Sequence, residues 1–253
     1  MKVTFLGTGT SQGIPVIGSN HPVCLSKDSR DKRLRSSVHI EIDGKSFVID
    51  TGPDFRMQML NANIQRLDAV VFTHEHKDHT AGFDDIRPFN FKQNMDMPVY
   101  GTKRVLEALK RDYAYIFEAQ KYPGVPSAEL HEIENKPFEI DGVLFTPIEV
   151  MHMFLPVFGY RIQDFSYITD AKTISSSEKD KVRGSKVLVL NALRIEEHYS
   201  HFNLQEALDL VAELKPERAY FTHISHLLGF HEEVSKQLPK NVFLAYDGLE
   251  IEI

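Results

Sequence analysis

Four side chains that commonly bind metal ions follow directly after a short apolar run of the chain. The run 68–72, with the sequence DAVVF, is typical of a buried β-strand. His74, His76, Asp78 and His79 come next, within six residues of one another. In an extended segment, residues two apart point to the same side, so His74 and His76 can face one ion and the other two a second. The cluster therefore predicts a two-metal site at the end of a strand.

The rest of the chain alternates between groups of strands and helices. Apolar or alternating runs predict strands at 3–6, 38–42, 46–49, 99–100, 138–140, 143–147, 158–162, 165–169, 186–190, 218–221, 242–245 and 249–253. Helical spacing predicts helices at 54–62, 102–113 and Leu204–Leu214. Because strands are followed by a helix twice over, we expect an α/β (α+β) fold of two mixed sheets face to face with helices outside, a four-layer αβ/βα sandwich.

Two local signals refine this pattern. Asp43-Gly44 and Asp141-Gly142 each separate two predicted strands and are typical of hairpin turns. The aromatic stretch 113–127, which contains two prolines, predicts an irregular loop of the kind that often covers an active site.

Composition limits the class of protein and of partner. The 253 residues predict a single domain spanning 1–253, and the net charge of −7 disfavours bulk binding of nucleic acid. That charge is compatible with a small phosphate-ester substrate, since bound metal ions dominate the charge of such a site. With one cysteine, no intramolecular disulfide forms, and no signal peptide or apolar span of 18 residues is evident. We therefore expect a cytoplasmic protein that does not bind membranes.

Three further residues lie where the remaining ligands of a two-metal site are expected. His152, Asp170 and His223 each come after a predicted strand, where sheet proteins often place their chemistry. His152 can also be read as an ordinary loop histidine, and Asp170 as a turn or helix-capping residue. As a set, they would complete the site that begins with the histidine cluster.

With these residues in place, the chain resembles the metallo-β-lactamase superfamily over nearly its whole length. The resemblance rests on the spacing of the four clustered ligands, on Asp50-Thr51-Gly52 before them and on the three later candidates in order. It implies that one ion binds His74, His76 and His152, that the other binds Asp78, His79 and His223, and that Asp170 bridges the two. It also implies that Asp50 supports a ligand histidine by hydrogen bonding, although Asp50 can also be read as a turn residue.

The ligand set is chemically suited to two divalent transition-metal ions. Imidazole and mixed nitrogen and oxygen ligands favour Zn²⁺ or Mn²⁺. A hydroxide held between ions ~3.5–4 Å apart can attack phosphodiesters, thioesters, lactams and lactones. The motif therefore predicts hydrolysis without fixing the substrate.

Further residues narrow the resemblance to the PhnP group of phosphodiesterases, which open a ribosyl cyclic phosphate. They are the glycine-rich turn at 6–15, the segment 222–226 and His201, which precedes a helix capped by Asn203. The resemblance implies that His201 contacts the phosphate and protonates the leaving oxygen, and that Asp78 accepts a proton. His201 can also be read as a solvated histidine at a helix start. Homodimers are expected by analogy.

Other functions are compatible with the same fold. A PqqB-like or tRNA 3′-processing-nuclease-like member would act on another substrate. A ligand-binding protein with little catalysis is a third reading, which the complete set of candidate ligands disfavours.

A third metal site is suggested near the N-terminus. The PhnP group has a structural zinc there, held by three cysteines and a late histidine. The matching positions in this chain are Ser19, His21, Cys24 and His226, so two of the three cysteines are missing. His21, Cys24 and His226 could still hold a structural zinc, although such sites normally have four protein ligands. Alternatively, Cys24 is a small buried residue and the site is lost.

The basic run Arg30-Asp31-Lys32-Arg33-Leu34-Arg35 has two readings. It could bind a phosphate or a partner, or its side chains could pair with nearby carboxylates. His131 and His231 are expected at the surface.

Overall fold

Two β-sheets form the centre of the molecule. The computed structural model describes residues 1–120 and 122–253. Its strands are β1 (Lys2–Gly7), β2 (Ser37–Ile42), β3 (Lys45–Ile49), β4 (Ala69–Val71), β5 (Met97–Gly101), β6 (Ala128–Glu132), β7 (Phe138–Ile140), β8 (Val143–His152), β9 (Leu155–Ile162), β10 (Phe165–Ile168), β11 (Thr173–Ile174), β12 (Val187–Asn191), β13 (Arg218–Thr222), β14 (Val242–Leu244) and β15 (Glu250–Glu252). One sheet has the order β15-β1-β2-β3-β4-β5-β6, and the other has the order β11-β8-β9-β10-β12-β13-β14, with β7 paired to β8.

Helices connect the strands. They are α1 (Pro22–Leu25), α2 (Phe55–Asn61), α3 (Lys77–Thr80), α4 (Arg87–Gln93), α5 (Lys103–Asp112), α6 (Ala114–Phe117), α7 (Ser176–Val182), α8 (Leu204–Leu214) and α9 (His231–Ser235). Short 3-10 helices occur at Ser29–Asp31, Phe83–Ile86 and His226–Leu228. In the part of the chain that the structure describes, no helix is both long and apolar enough to span a bilayer.

Three apolar layers hold the sheets and helices together. Buried side chains of both sheets meet between them, as where the rings of Phe47 and Phe145 lie edge to face at 5.4 Å. A second cluster packs α2, α4 and α5 on the outer face of the first sheet, and a third packs α8 on the outer face of the second. Burying each large apolar side chain contributes about 1.5–3 kcal/mol. This arrangement confirms the predicted αβ/βα sandwich.

Strand direction brings the candidate site residues to one edge. β3, β4 and β5 are parallel, as are β10, β12 and β13. Two antiparallel pairings, through β9, give β8 the same direction as β10. The carboxyl ends of these strands therefore lie together, and polar residues that follow them converge.

The local signals are confirmed where they rest on backbone chemistry. Asp43 and Gly44 have φ of 50° and 75°, the left-handed pair that a tight hairpin between β2 and β3 requires. Asn203 caps α8 and forms a reciprocal capping box with Glu206. The prediction of an irregular loop at 113–127 is wrong near its beginning, where the chain forms α6. Lys121, within that loop, lies outside the described residues.

Candidate metal centre

The predicted ligands meet at the shared edge of the two sheets. His74 and His76 lie in the loop after β4, with ring centroids 4.6 Å apart, and α3 then carries Asp78 and His79. The ring of His152, at the end of β8, lies 5.2 Å from that of His76 and 6.0 Å from that of His74. The structure thus gathers the three histidines predicted to share one ion.

The ligands predicted for the second ion are closer still. Ligand atoms of Asp78, His79, Asp170 and His223 all lie within 4.8 Å of one another. The Asp170 Oδ2 is 3.2 Å from His79 Nε2, and its Oδ1 is 3.2 Å from His223 Nε2. Four donors at such separations suit a single divalent cation.

Asp170 also belongs to the other group. Ligand atoms of His152, Asp170 and His201 lie within 4.8 Å of one another. Asp170 is almost fully buried, and it contacts both groups from the end of β10. This is the position that a carboxylate bridging two ions would need.

In three of the predicted ligand histidines, a hydrogen bond to Nδ1 determines which ring nitrogen is left to bind a metal ion. The Thr73 hydroxyl donates to Asp50 (2.8 Å), so it must accept from the Nδ1–H of His74 at 3.0 Å. His79 Nδ1 donates to Asp50 at 2.7 Å, and His152 Nδ1 donates to the Ser200 carbonyl at 2.9 Å. In neutral imidazoles this leaves the lone pair on Nε2, the atom that faces the cluster.

The unsatisfied atoms test whether metal ions fit. Among the described residues, the buried Nε2 atoms of His74, His79 and His223 have no partner with hydrogen-bond geometry, although Asp170 lies 3.2 Å from two of them. Burying a polar atom without a partner costs about 1–3 kcal/mol, so three within one cluster need an explanation. Divalent cations bound by these lone pairs would supply it. The residues present therefore fit the two-metal site that the sequence predicts.

The electrostatics of the cluster favour positive charge. Burial lowers the pKa of His79, but the carboxylates of Asp78, Asp170 and Asp50 raise it well above its usual value. Burial raises the pKa of Asp170, but His223 and His79 together hold it well below its usual range. Carboxylates that stay ionised beside imidazoles provide both the charge and the donors for a cation.

Asp50 has the supporting role that the resemblance implies. It is fully buried and accepts hydrogen bonds from the backbone and hydroxyl of Thr73 (both 2.8 Å) and from His79 (2.7 Å). Its φ of 66° directs the side chain behind the cluster. Asp50 is therefore more than a turn residue, because its carboxylate orients the ring of His79, a predicted ligand.

The backbone is left-handed where the predicted ligands leave the sheets. Asp170 and His223 have φ of 55° and 54°, a region in which Asp and His occur more often than most residues other than Gly. A side chain at Gly52 would place its Cβ 2.2 Å from the Asp78 carbonyl oxygen. Glycine is therefore required where the loop after β3 passes the loop that carries the ligands.

His201 lies inside the cluster rather than on the solvated surface. It is mostly buried, and its Nε2 is 3.1 Å from Asp170 Oδ1. Its Nδ1 contacts the Ser200 hydroxyl at 3.0 Å and His198 Nδ1 at 3.2 Å. Burial lowers the pKa of His201 to about 4, although Asp170 raises it. His198 and Ser200 were missed from the sequence, because their positions depend on how the loop before α8 folds.

The glycine-rich N-terminal turn packs against the protein's own backbone. A Cβ at Gly7 would lie 1.9 Å from the Arg35 carbonyl oxygen, and one at Gly9 would lie 2.9 Å from that of Arg33. Thr8 accepts from the Ile224 N–H at 2.9 Å. The turn therefore holds the residue that follows His223, and close packing explains Gly7 and Gly9.

The N-terminal candidate zinc site is only partly assembled. The rings of His21 and His226 contact each other at 4.9 Å, and Cys24 is buried. However, His21 Nδ1 accepts from the Val23 N–H and so caps α1, and Cys24 Sγ accepts from the Val16 N–H. Among the described residues, these three are absent from the groups whose ligand atoms lie within 4.8 Å of one another. Structural zinc at His21, Cys24 and His226 therefore stays a prediction.

The basic run pairs within the protein. Arg30 binds Asp28 at 2.7 Å, and Arg35 binds Asp54 at 3.1 Å. Arg33 is buried and contacts His231 Nδ1 at 3.1 Å. Pairing with nearby carboxylates is therefore confirmed for Arg30 and Arg35. The expectation that His231 lies at the surface is wrong, because it packs against the buried guanidinium of Arg33.

The sheets, the layers and the converging histidines and aspartates define a metal-dependent hydrolase fold of the metallo-β-lactamase type. The model of the beta-lactamase superfamily domain matches residues 45–224. A new diphosphatase from the PhnP family, whose crystal structure is known, is 39% identical in sequence to this chain. The match covers 100% of this chain and 97% of the diphosphatase chain, with a TM-score of 0.93. The chain belongs to the metallo-β-lactamase superfamily and, within it, to the PhnP family.

Other relatives are more distant or longer. Zinc-bound PqqB from Methylobacterium extorquens is 18% identical with a TM-score of 0.82, and the match covers 100% of both chains, which shows a shared fold. An octanoyltransferase of Porphyromonas gingivalis is 38% identical over 99% of this chain and 51% of its own length. A ribonuclease Z of Bradyrhizobium diazoefficiens is 28% identical over 64% of this chain and 49% of its own. The chain thus spans about half the length of these last two relatives.

Proposed function

We propose that this hydrolase is a two-metal phosphoesterase that cleaves a small cyclic phosphate or a nucleotide-like diester. The observation that carries the proposal is the position of Asp170. Its Oδ1 lies 3.1 Å from His201 Nε2 and 3.2 Å from His223 Nε2, and its Oδ2 lies 3.2 Å from His79 Nε2. The hydrogen bond from His79 to the fully buried carboxylate of Asp50 further supports the proposal. Zinc or manganese ions are the proposed occupants, because the donor set combines imidazole with carboxylate.

Each part of the site has a proposed role. Bound divalent ions would lower the pKa of a coordinated water molecule and neutralise charge on phosphoryl oxygens. Asp78 is partly exposed at the cluster and accepts a proton from the attacking water. His201, 3.1 Å from Asp170, contacts the phosphoryl group, whose negative charge would raise the lowered pKa of His201 so that it can protonate the leaving oxygen. Asp50, Thr73 and Ser200 keep the ligand imidazoles in the orientation that exposes Nε2.

The relatives support a phosphate ester as substrate. The relative at 39% identity is a diphosphatase of the PhnP family, and a relative at 28% identity is a ribonuclease Z. Both names denote cleavage of a bond between phosphorus and oxygen. PqqB-like and tRNA-nuclease-like activities are alternatives within the same fold, and the net charge of −7 disfavours tRNA.

The name octanoyltransferase provides a second substrate class to test. This chain matches 51% of that protein, so the transferase activity need not belong to the matching half. An octanoyl thioester is therefore a useful comparison substrate, since two-metal sites also hydrolyse thioesters.

The experiment is hydrolysis of bis(p-nitrophenyl) phosphate by the protein loaded with Mn²⁺ or Zn²⁺. We expect turnover to be abolished in His76→Ala and strongly reduced in His201→Ala. His131→Ala is the matched control, because His131 stacks on Tyr100 at 4.6 Å in the first sheet. Undiminished turnover in both site variants would refute the assignment.

A substrate panel then separates the alternatives. Cyclic phosphates, linear diesters, diphosphates and octanoyl thioesters are compared by kcat/KM in the same protein. A preference for cyclic phosphates or nucleotide-like diesters supports the proposal, whereas a preference for the thioester contradicts it.

A further inference from the structure

Four exposed apolar side chains lie on two loops that carry residues of the metal centre. We call these four side chains, Met153, Phe154, Ile195 and Tyr199, the outer lip. Phe154 is 83% exposed and Tyr199 is 71% exposed, so neither ring contributes much to the core. Exposed aromatic rings beside a polar site commonly mark a binding surface.

The two loops are joined at the site itself. Phe154 lies in the turn between β8 and β9, two residues after His152, and Met153 in this turn has a φ of 58°. His152 Nδ1 donates to the carbonyl of Ser200, the residue directly after Tyr199. Both rings are therefore attached within two residues of a hydrogen bond that orients a predicted ligand.

The chemistry of the lip favours a neutral, flat group. The ring of His198 stacks on that of Tyr199 at 4.4 Å and 28°, which shows that the loop already supports stacking. The Arg194 guanidinium is bound to the carbonyls of Glu196 and Glu197 (3.4 and 2.7 Å). The exposed carboxylates of these two glutamates would repel an anionic extension of the substrate.

We propose that Phe154 and Tyr199 bind a planar aromatic ring, such as a nucleobase, on a phosphate ester whose phosphoryl group lies at the metal centre. This inference rests on the proposed phosphoesterase function and names its substrate class as nucleotide-like. Stacking of a base on an aromatic side chain tolerates any base, because every base has a π-face. The lip therefore selects for the presence of a ring and not for one base.

The test measures binding, so that it does not depend on turnover. Dissociation constants are determined by calorimetry for adenosine 5′-monophosphate and for ribose 5-phosphate, which lacks the base, with metal-loaded protein. We expect the nucleotide to bind at least about tenfold more tightly. In Phe154→Ala/Tyr199→Ala this difference disappears, while the affinity for ribose 5-phosphate is unchanged.

Matched variants separate stacking from a general apolar effect. Phe91→Ala removes a comparably exposed ring on α4, on the outer side of the first sheet, and should leave the difference intact. Phe154→Leu keeps apolar area without a ring and should lose most of the preference contributed by Phe154. Octyl phosphate tests for an alkyl chain instead of a ring.

Equal affinities for the nucleotide and ribose 5-phosphate in the wild type overturn the inference. So does a preference that survives the double variant, or tighter binding of octyl phosphate than of the nucleotide. Turnover of bis(p-nitrophenyl) phosphate is measured on the same samples. If turnover is normal but the two affinities are equal, ring binding by the outer lip is refuted and the phosphoesterase function stands. If binding depends on the ring but no phosphate ester is turned over, the phosphoesterase function is refuted and ring binding stands.

Discussion

Two regions of the molecule contain histidines that the sequence predicts to be metal ligands. The hydrogen bonding of these histidines differs between the two regions. At the strand ends, the buried Nε2 atoms of His74, His79 and His223 have no partner with hydrogen-bond geometry within the described part of the chain, and Asp170 lies close to two of them. Near the N-terminus, His21 Nδ1 and the sulfur of Cys24 already accept backbone hydrogen bonds.

The difference shows what distinguishes a built site from a residue pattern. A metal site needs donors whose lone pairs converge and have no other use, and it needs neighbours that hold them there. The strand-end cluster has both, because Asp50 and Ser200 occupy the Nδ1 atoms of two ligands. Within the described residues, the ligand atoms of the N-terminal group do not converge, and His21 uses a ring nitrogen to cap a helix.

The largest expected effect is on hydrolysis, and it is tested by substituting one residue in each of the two regions. Asp170→Asn keeps the shape of the carboxylate but removes its charge between the two histidine groups. We expect hydrolysis of bis(p-nitrophenyl) phosphate to fall by more than about a hundredfold, since even residues that only support ligands contribute 10–100-fold. His226→Gln should leave kcat within about twofold, and a comparable loss in both variants would remove the contrast.

A smaller effect is expected from two buried carboxylates. Asp50→Asn should weaken metal affinity by about 10–100-fold, because the amide cannot fix the His79 tautomer in the same way. Asp31 is also buried and accepts from the His231 backbone N–H at 2.7 Å, but it lies away from the cluster. Asp31→Asn should lower the free energy of unfolding without changing metal affinity, as measured by chelator competition.

The last prediction concerns stability instead of activity and rests on a buried histidine whose ring has a partner. His39 Nε2 contacts the Ser46 hydroxyl at 2.7 Å, and burial lowers its pKa to about 4 from the usual 6.5. The unfolded chain therefore takes up a proton between pH 6.5 and 4 while the folded protein does not. Its contribution to stability is complete above pH 6.5 and is lost as the pH falls towards 4.

Denaturant unfolding of the wild type and of His39→Gln measures this contribution. On the order of 3 kcal/mol of the wild type's unfolding free energy should be lost, relative to the variant, between pH 7.5 and pH 4. Metal content at pH 7.5 should be equal in the two proteins. Parallel pH profiles would show that His39 does not titrate as its burial indicates.

Much of the fold and of the site follows from local patterns. Leu204–Leu214 has both helical periodicity and its Asn203 cap in sequence, and the hairpin at Asp43-Gly44 rests on residues that accept left-handed backbone. The ligand cluster is recognisable because its members are adjacent in the chain. Asp170 and His223 could be found only as polar residues at the ends of predicted strands.

The rest depends on contacts between segments distant in sequence. The packing of Gly7 against Arg35, the burial of His231 against Arg33 and the contact of His198 with His201 arise only when loops meet. The outer lip had no signal in the sequence either, since exposure of Phe154 and Tyr199 is a property of the folded loops.

The central claim is that the strand-end cluster holds two divalent ions, and metal analysis tests it most directly. Protein prepared without chelator is measured by mass spectrometry for metal per chain, beside His79→Ala. We expect about two ions of zinc or manganese per wild-type chain and about one fewer in the variant. Fewer than one ion per wild-type chain at saturating metal, or an unchanged content in His79→Ala, would contradict it.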